Sequence, residues 1–358
     1  MEPQQIQPLL RSQSATLWPV IQPRWTATDF SNGQMPAALT QLWQQGQHGS
    51  FTSQHGLQLS YSCWRPAQAK AALLLVAGRI ETAHKYVEFI DDAISAGYQV
   101  FCLDHRGQGR SERLHAGKML GDVLDFNDYV DDLQQFIQQV VEPVCQLPML
   151  AIAHSMGAAI LARYLQTKAD SRLQAAVFSS PMFGIHTAPL PQLLASPIAQ
   201  WMQLLAQQCS QQGWYLPGQG DYQRKAFAGN DLTSCEPRYL WFRQLYQQHP
   251  DYQLGGASWR WLAQALRACQ QLAQDAAPKL PCLLLQAGAD RVVSNQAQRR
   301  LWLLWQQQPQ FHPASRSLLL PGARHELLFE SDFIRLRWYQ ALAEFQAALS
   351  APVRSESC

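Results

Sequence analysis

The chain has 358 residues, of which 47% are hydrophobic and 15% are charged, and its formal net charge is +2. This length and composition accommodate a large core, built either as two domains or as one large α/β domain with an insertion. The small net charge, without a basic block interleaved with aromatic residues, argues against nucleic acid as a partner and gives no strong attraction to an anionic membrane.

The cysteines and the apolar runs bear on the cellular compartment. Eight cysteines are scattered along the chain without a C-x-x-C pair or a histidine at zinc spacing. The N-terminal segment has no apolar signal core, and the longest apolar runs, such as residues 71–78, are far shorter than the ~20 residues that span a bilayer. We therefore expect a cytoplasmic protein with reduced thiols.

The first third of the chain predicts an extension followed by the start of a sheet. Residues 1–47 are rich in glutamine and proline, and we expect them to lie over the domain and to end in a short helix near residues 37–45. A strand pair over residues 51–62 follows, with its turn at His55-Gly56.

From residue 71 onward, short apolar runs typical of strands alternate with segments of helical period. The predicted strands cover residues 71–77, 98–103, 148–153 and 175–178, and the predicted helices cover residues 85–96, 126–140 and 156–165. Strands that alternate with helices predict a mostly parallel sheet with helices on both faces.

This alternation stops near Phe183 and resumes near Leu280, and the tryptophan-rich stretch between them predicts a mainly helical insertion. Two strands, over residues 281–286 and 317–320, and a closing helix complete the sheet. The predicted organisation is an extension (1–47), a first core part (48–183), a helical cap (184–265), a second core part (266–350) and a C-terminal tail (351–358).

One serine lies on a predicted turn between a strand and a helix. Ser155 follows the apolar run 148–153 and precedes the helical segment that begins at Met156. This is the context that the G-x-S-x-G motif of serine hydrolases requires, with Ala153 in place of the first glycine. The motif predicts a nucleophilic serine, although a buried turn without chemical importance could produce the same short pattern.

The residues that would activate this serine also follow predicted strands. Asp290 comes after the strand ending at Gln286, and His325 comes after the strand ending at Leu320. Ligand sites of parallel sheets lie beyond the carboxyl ends of their strands, and the order Ser, Asp, His is that of the α/β-hydrolases. We predict a triad of Ser155, Asp290 and His325, with Asp251 of the insertion as the acid to test against Asp290.

Attack on an ester also requires two donors for the oxyanion. The backbone N–H of Met156, directly after the nucleophile, is the first predicted donor. The loop after the strand 71–77 supplies the second, for which we choose the N–H of Arg79. Glu81 in the same loop is expected to orient the loop rather than to transfer protons.

Several segments together resemble a known family. They are Gly78-Arg-Ile-Glu81, Leu103-Asp-His-Arg-Gly-Gln-Gly-Arg-Ser111, His154-Ser-Met-Gly157, Gly288-Ala-Asp-Arg-Val-Val293 and Gly322-Ala-Arg-His-Glu326. With Asn230-Asp-Leu-Thr233 and Gly255-Gly-Ala-Ser-Trp259 of the insertion, the chain resembles the lysophospholipase L-two and monoacylglycerol lipase group of bacterial α/β-hydrolases.

The resemblance implies an α/β-hydrolase fold and a two-step hydrolysis of a lipid ester without metal or organic cofactor. The implied substrate is a lysophospholipid, which would give a fatty acid and a glycerophosphodiester, and the implied location includes peripheral contact with the inner membrane. Monoacylglycerol lipase and general carboxylesterase remain open as alternatives. So do a peptidase of the proline-iminopeptidase kind, which would need an acidic pocket for a free amine, and a non-catalytic lipid-binding protein.

Two further predictions concern substrate binding. Ser196-Pro197 is typical of a helix start, and Ile198, Trp201 and Met202 then share a face, so we expect Trp201 to line an acyl pocket. The Arg79 side chain either binds a phosphate or pairs with Glu81 and shapes the loop. If it does not bind phosphate, the remaining cations are in the insertion, namely Arg224, Lys225, Arg238, Arg243 and Arg260.

Overall fold

The computed structural model describes residues 18–168, 172–186, 192–209 and 213–350. The predicted tail 351–358 and the first 17 positions of the predicted extension lie outside these residues. Within the described residues, the strands are β1 (Gln47–Thr52), β2 (Gln58–Trp64), β3 (Ala71–Val76), β4 (Tyr98–Leu103), β5 (Met149–His154), β6 (Leu173–Ser179), β7 (Cys282–Ala287) and β8 (Arg316–Leu320).

The helices of the described residues follow the predicted alternation. They are α1 (Ala37–Gln45), α2 (Val87–Ala96), α3 (Asn127–Phe136), α4 (Met156–Thr167), α5 (Gln192–Cys209), α6 (Glu236–Gln248), α7 (Trp259–Gln274), α8 (Asn295–Gln306) and α9 (Asp332–Ser350). Helix α3 continues as a π-helical turn over Ile137–Val141.

The strands form one sheet in the order β1-β2-β4-β3-β5-β6-β7-β8. The pairs β1–β2 and β2–β4 are antiparallel, and the strands from β4 to β8 are parallel to one another. The predicted fold class, a mostly parallel sheet flanked by helices, is confirmed. Strand β5, which ends beside Ser155, lies near the centre of the sheet and is buried along its whole length.

Alternate residues of the central strands contribute to two cores, one on each face of the sheet. Leu74 and Val76 pack with α3, α4 and α8, whereas Leu73 and Leu75 pack with α2, α6 and α9. The described part of the extension joins the second core, in which Trp18, Ile21 and Phe30 are buried.

The insertion between β6 and β7 contains α5, α6 and α7. Two details differ from the prediction. Helix α5 begins at Gln192, so Pro197 lies inside it and not at its first turn. A helix of 18 residues tolerates the one hydrogen bond that a proline removes, so Ser196-Pro197 did not mark its start. Helix α7 crosses residue 265, the predicted end of the cap, and continues to Gln274.

Within the described residues, no helix combines the length and apolar composition that crossing a bilayer requires.

Candidate active site

Ser155 occupies a strained turn between β5 and α4. Its φ of 52° and ψ of −118° are unusual for a residue other than glycine, and such conformations persist only where the surroundings enforce them. The Ser155 N–H donates to the carbonyl of Ser179 at 3.1 Å, and the Ser155 carbonyl accepts from the N–H of Met182 at 2.9 Å. The backbone therefore holds the turn on both sides of the side chain.

The two small residues of the motif meet different constraints. A Cβ atom on Gly157 would overlap the carbonyl oxygens of Val76 and Ala77, where α4 crosses the end of β3. Ala153, in contrast, lies within β5, and its methyl group is fully buried in the first core. The elbow thus requires glycine at position 157 but accommodates alanine at position 153.

The structure brings Ser155, His325 and Asp290 together. The Ser155 hydroxyl lies 2.9 Å from His325 Nε2, and His325 Nδ1 lies 2.8 Å from Asp290 Oδ2. When Nδ1–H donates to Asp290, Nε2 is free to accept the serine proton. His325 and Ser155 are both largely buried, which keeps bulk water from competing for these hydrogen bonds.

The Asp290 carboxylate is fixed by its own loop. Its Oδ1 accepts from the N–H groups of Val292 and Val293, at 2.8 and 3.0 Å. Burial opposes ionisation, but the hydrogen bond and charge of His325, together with the two backbone donors, hold the pKa of Asp290 below its usual value. The carboxylate therefore stays ionised and can orient the imidazole.

The two predicted oxyanion donors lie at the start of α4 and in the loop after β3. Among the described residues, no acceptor binds the backbone N–H of Met156 or that of Arg79. The neighbouring loop residues are held in place, because the Gly78 N–H donates to Glu81 and the Ile80 N–H donates to Gln108 Oε1 at 3.2 Å. The loop thus offers one unused donor between fixed neighbours, and the start of α4 offers a second.

A buried charge cluster lies behind this loop. Lys85 Nζ donates to Glu81 at 2.9 Å and to Glu326 at 2.7 Å, and all three side chains are nearly inaccessible to water. Glu81 also accepts from the Tyr86 hydroxyl at 2.6 Å. Burial opposes its charge, but the Lys85 ammonium and His154 lower the pKa of Glu81 well below its usual value.

His154 belongs to the same cluster and contacts the backbone of His325. Its Nδ1 lies 3.1 Å from Glu81 Oε2, and its Nε2 lies 3.3 Å from the carbonyl of His325. Both partners are acceptors, so the geometry calls for a proton on each nitrogen. Burial disfavours this charge, but the Glu81 carboxylate raises the pKa of His154 and supports it.

The sequence patterns did not reveal this cluster. Lys85 and Glu326 are 241 positions apart, so no local pattern could pair them. The one available signal is a lysine at the start of a predicted buried helix, where an unpaired charge would be costly.

A cavity of about 720 Å³ opens beside Ser155 and His325. Its lining is mainly apolar and comes largely from the cap, with contributions from Ile198, Met202, Trp259, Leu262 and Phe242. Within the described residues, no group of three or more His, Cys, Asp or Glu side chains is placed to hold a metal ion.

The prediction that Trp201 lines this cavity is wrong. Its side chain is 61% exposed, and Ile198 and Met202 are the residues of α5 that face the cavity. All three are apolar and lie within one helical turn, so the sequence could not show which part of the arc faces inward. Ala199 and Ala206 are buried, which places the inward face away from Trp201.

The structure also excludes one of the two predicted roles of the Arg79 side chain, pairing with Glu81. Glu81 is not its partner, because Glu81 is occupied by Lys85, Tyr86 and His154. Arg79 Nη2 donates to the carbonyl of Gly255 in the cap at 2.9 Å, and its guanidinium carbon lies 5.1 Å from the centroid of a Trp261 ring. The side chain thus joins the oxyanion loop to the cap.

Comparisons with known proteins agree with this architecture. Lysophospholipase L2 of Escherichia coli (strain K12) is 35% identical over 322 residues, which cover 89% of this chain and 93% of that protein. The probable lysophospholipase L2 of Haemophilus influenzae is 33% identical over 276 residues, covering 76% and 82%. The resemblance predicted from the motifs is therefore confirmed.

A soluble variant of monoglyceride lipase from Saccharomyces cerevisiae, solved with a substrate analogue, shares the fold. Its TM-score is 0.64 at 18% identity, and the match covers 86% of this chain and 96% of that chain. A family model described as serine aminopeptidase, S33, matches residues 67–332. Because this model spans most of the chain and the E. coli relative aligns over nearly its whole length, the chain belongs to the serine aminopeptidase S33 family of α/β-hydrolases.

Proposed function

We propose that the protein hydrolyses the acyl ester of lysophospholipids, giving a fatty acid and a glycerophosphodiester. The observation that carries the proposal is the hydrogen-bonded line from Ser155 through His325 to Asp290, which opens into an apolar cavity of about 720 Å³. The relatives named lysophospholipase L2 support the substrate class.

The proposed reaction has two steps. Ser155 Oγ attacks the acyl carbonyl while its proton passes to His325 Nε2, and the N–H groups of Met156 and Arg79 stabilise the oxyanion. The His325 imidazolium then protonates the glycerol oxygen, which leaves as the alcohol. Water attacks the acyl-enzyme, gives a proton to His325, and releases the fatty acid as the proton returns to Ser155. Asp290 holds the imidazole tautomer throughout.

Monoacylglycerol lipase or general carboxylesterase activity is the second candidate. The yeast neighbour in fold is a monoglyceride lipase, and the acyl part of the substrate would be bound in the same way in both reactions. The two functions differ only in the alcohol that leaves, so the distinction depends on the groups that surround this alcohol.

The family description also names aminopeptidases. A substrate with a free amine would need an unpaired carboxylate in the cavity. Glu81 and Glu326 do line the cavity, but Lys85 binds both of them. This pairing supports an ester substrate over a peptide.

We also propose that this protein is cytoplasmic and makes peripheral contact with the inner membrane through α5. Trp201 and Leu204 are 61% and 57% exposed, and α5 carries no charged residue. The exposed apolar side chains support contact with lipid, whereas helices that lie in a membrane surface usually also carry basic residues, which α5 lacks, so lipid contact is secondary to its role over the cavity.

Assay of the purified protein tests the proposed function. We expect labelling of Ser155 by a fluorophosphonate, and release of fatty acid from lysophosphatidylcholine at a higher kcat/KM than from a monoacylglycerol or a p-nitrophenyl ester of the same chain length. Labelling without lysophospholipid hydrolysis would favour the second candidate. Absence of labelling and of all ester hydrolysis would contradict both.

A further inference from the structure

The cavity has two parts with different linings. Ile198, Met202 and Leu262 belong to a small apolar cluster between α5 and α7. Phe242 and Arg243 of α6 line the other part, together with Lys85 and Glu326 of the buried charge cluster. The first part suits an acyl chain, and the second part carries charged side chains of both signs.

The polar part adjoins the histidine that would protonate the leaving alcohol, an assignment that rests on the proposed function. Glu326 directly follows His325 and accepts from Lys85 at 2.7 Å. Lys85 Nζ in turn lies 4.5 Å from the centroid of the Phe242 ring. The alcohol that His325 releases therefore leaves next to this group of side chains.

Arg243 differs from Lys85 because no carboxylate of the described residues pairs with its charge. It is 9% exposed and packs over the rings of Tyr239 and Phe242, at 4.9 and 5.0 Å from their centroids. No described residue accepts a hydrogen bond from its Nε, and no described carboxylate lies within ion-pairing distance. Buried charges are ordinarily paired, so an anionic substrate group beside Arg243 would be bound favourably.

The guanidinium of Arg243 is positively charged. Burial acts against the charge, but the neighbouring phenol groups of Tyr239 and Tyr222 raise the pKa of its guanidinium. A permanently charged planar group with several N–H donors matches the two free oxygens of a phosphodiester.

The other cations that line the cavity contact protein groups, although Arg79, like Arg243, has no carboxylate partner and no acceptor for its Nε among the described residues. Lys85 binds two carboxylates, and Arg79 donates to the carbonyl of Gly255 and packs on Trp261 of α7, beside the acyl part. The remaining cations of the insertion do not line the cavity: Arg238 pairs with Glu88 and Asp332, Arg260 pairs with Asp122, and Arg224 and Lys225 are exposed.

We propose that the Arg243 guanidinium binds the phosphodiester of the leaving glycerophospho group and thereby selects lysophospholipids over monoacylglycerols. The acyl chain would lie between α5 and α7, and the phosphate would lie beside α6, paired with Arg243.

The test compares 1-palmitoyl-glycero-3-phosphocholine with 1-monopalmitoylglycerol in the same detergent. Arg243→Met should lower the ratio of the two kcat/KM values, lysophospholipid over monoacylglycerol, by about 10- to 150-fold, the range for a lost hydrogen bond to a charged group. Arg243→Lys keeps the charge without the planar fork and should lower the ratio by less. Arg224→Met, an exposed arginine of the same insertion, should leave the ratio unchanged.

A second measurement covers the case in which Arg243→Met does not fold. Glycerophosphocholine should inhibit monoacylglycerol hydrolysis by the wild type and inhibit Arg243→Lys more weakly. Equal losses on both substrates, or a selective loss in Arg79→Met but not in the Arg243 variants, would overturn the proposal. Failure of the wild type to hydrolyse the lysophospholipid, with fluorophosphonate labelling intact, would instead contradict the proposed function.

Discussion

The sheet edge that carries Ser155 and the cap that covers it are built in different ways. At the edge, each residue of the candidate triad follows a parallel strand, and backbone hydrogen bonds fix Ser155 and Asp290 in place. In the cap, helix side chains line the cavity, and α5 exposes Trp201 and Leu204. The candidate triad is therefore held mainly by main-chain contacts, whereas the cavity beside it is shaped mainly by side chains of the cap.

One of the junctions between the two regions involves Gly121 and Asp122. The Gly121 N–H donates to the Gly256 carbonyl, and the Ser258 N–H donates to the Gly121 carbonyl, both at 2.9 Å. Arg260 of the cap pairs with Asp122 of the core, which is completely shielded from water. We therefore expect substitutions at the sheet edge to change turnover of all esters, and substitutions in the cap to change the preference among esters.

The largest effect is expected from Ser155→Ala, which removes the proposed nucleophile at the sheet edge. Turnover of every ester should fall by roughly 10³- to 10⁶-fold, whatever its chain length. Thermal unfolding should change little, because alanine and serine are similarly strained at a φ of 52°. Both are measured with p-nitrophenyl esters and calorimetry, and wild-type turnover in this variant would contradict the assignment.

Asp290→Asn should produce the next largest effect. An uncharged amide can donate its NH₂ group to Nδ1, which favours the wrong imidazole tautomer, and it does not stabilise the imidazolium, so turnover should fall by about 10⁴-fold. Asp251→Asn is the matched control, because Asp251 is exposed in the cap. Initial rates of both variants measure the difference. A large loss in Asp251→Asn with none in Asp290→Asn would show that the wrong acid is assigned.

Glu81→Gln tests whether the buried charge cluster behind the sheet edge stabilises the folded protein. Removing one partner from a buried ion pair costs about 3–5 kcal/mol when it leaves a buried charge uncompensated, and without the Glu81 charge Lys85 and His154 share Glu326 as the one carboxylate of the cluster. The pKa of Glu81 is lowered by folding, so its contribution is complete above its usual pKa and is lost as the pH falls through the folded-state pKa.

Urea unfolding of the wild type and Glu81→Gln at several pH values measures this contribution. The difference in free energy of unfolding should be largest near neutral pH and should shrink as the solution is acidified well below pH 4. Glu344→Gln, on an exposed position of α9, is the control and should show little difference at any pH. A difference in the free energy of unfolding that grows on acidification would contradict this prediction.

The smallest effect concerns the cap. Met202→Ala should lower the preference for dodecanoyl over butyryl p-nitrophenyl esters by about 5-fold, which corresponds to roughly 1 kcal/mol of lost apolar contact. Trp201→Ala should leave this ratio unchanged, because Trp201 faces away from the cavity. Steady-state kinetics on the two esters measures the ratio. A lower ratio in Trp201→Ala, with no change in Met202→Ala, would show that Trp201 and not Met202 contacts the acyl chain.

The difference between the sheet edge and the cap also explains which features could be predicted from the sequence. Buried strands are recognisable in the sequence as short apolar runs. Because β5, β7 and β8 are parallel strands of one sheet, the residues that follow them lie at the same edge. Ser155, Asp290 and His325 could therefore be chosen as a set, although their distances could not be calculated. The fold was predictable for the same reason.

The cap was less predictable because its apolar residues fill a wide arc. Ile198, Trp201 and Met202 have similar hydrophobicity, and only their packing against α7 decides which of them faces inward. The pairing of Lys85 with Glu326 likewise depends on contacts between segments far apart in the chain. Local patterns carry no information on either feature.

The contact of Gly157 with β3 has a consequence for recognising related chains. Glycine at this position makes room for two main-chain carbonyl groups, which cannot move aside without shifting a central strand. Ala153, the other small residue of the elbow, meets no such obstacle. A search pattern that demands glycine before the nucleophile would discard this enzyme, whereas one that demands only a small residue there and glycine after it would retain it.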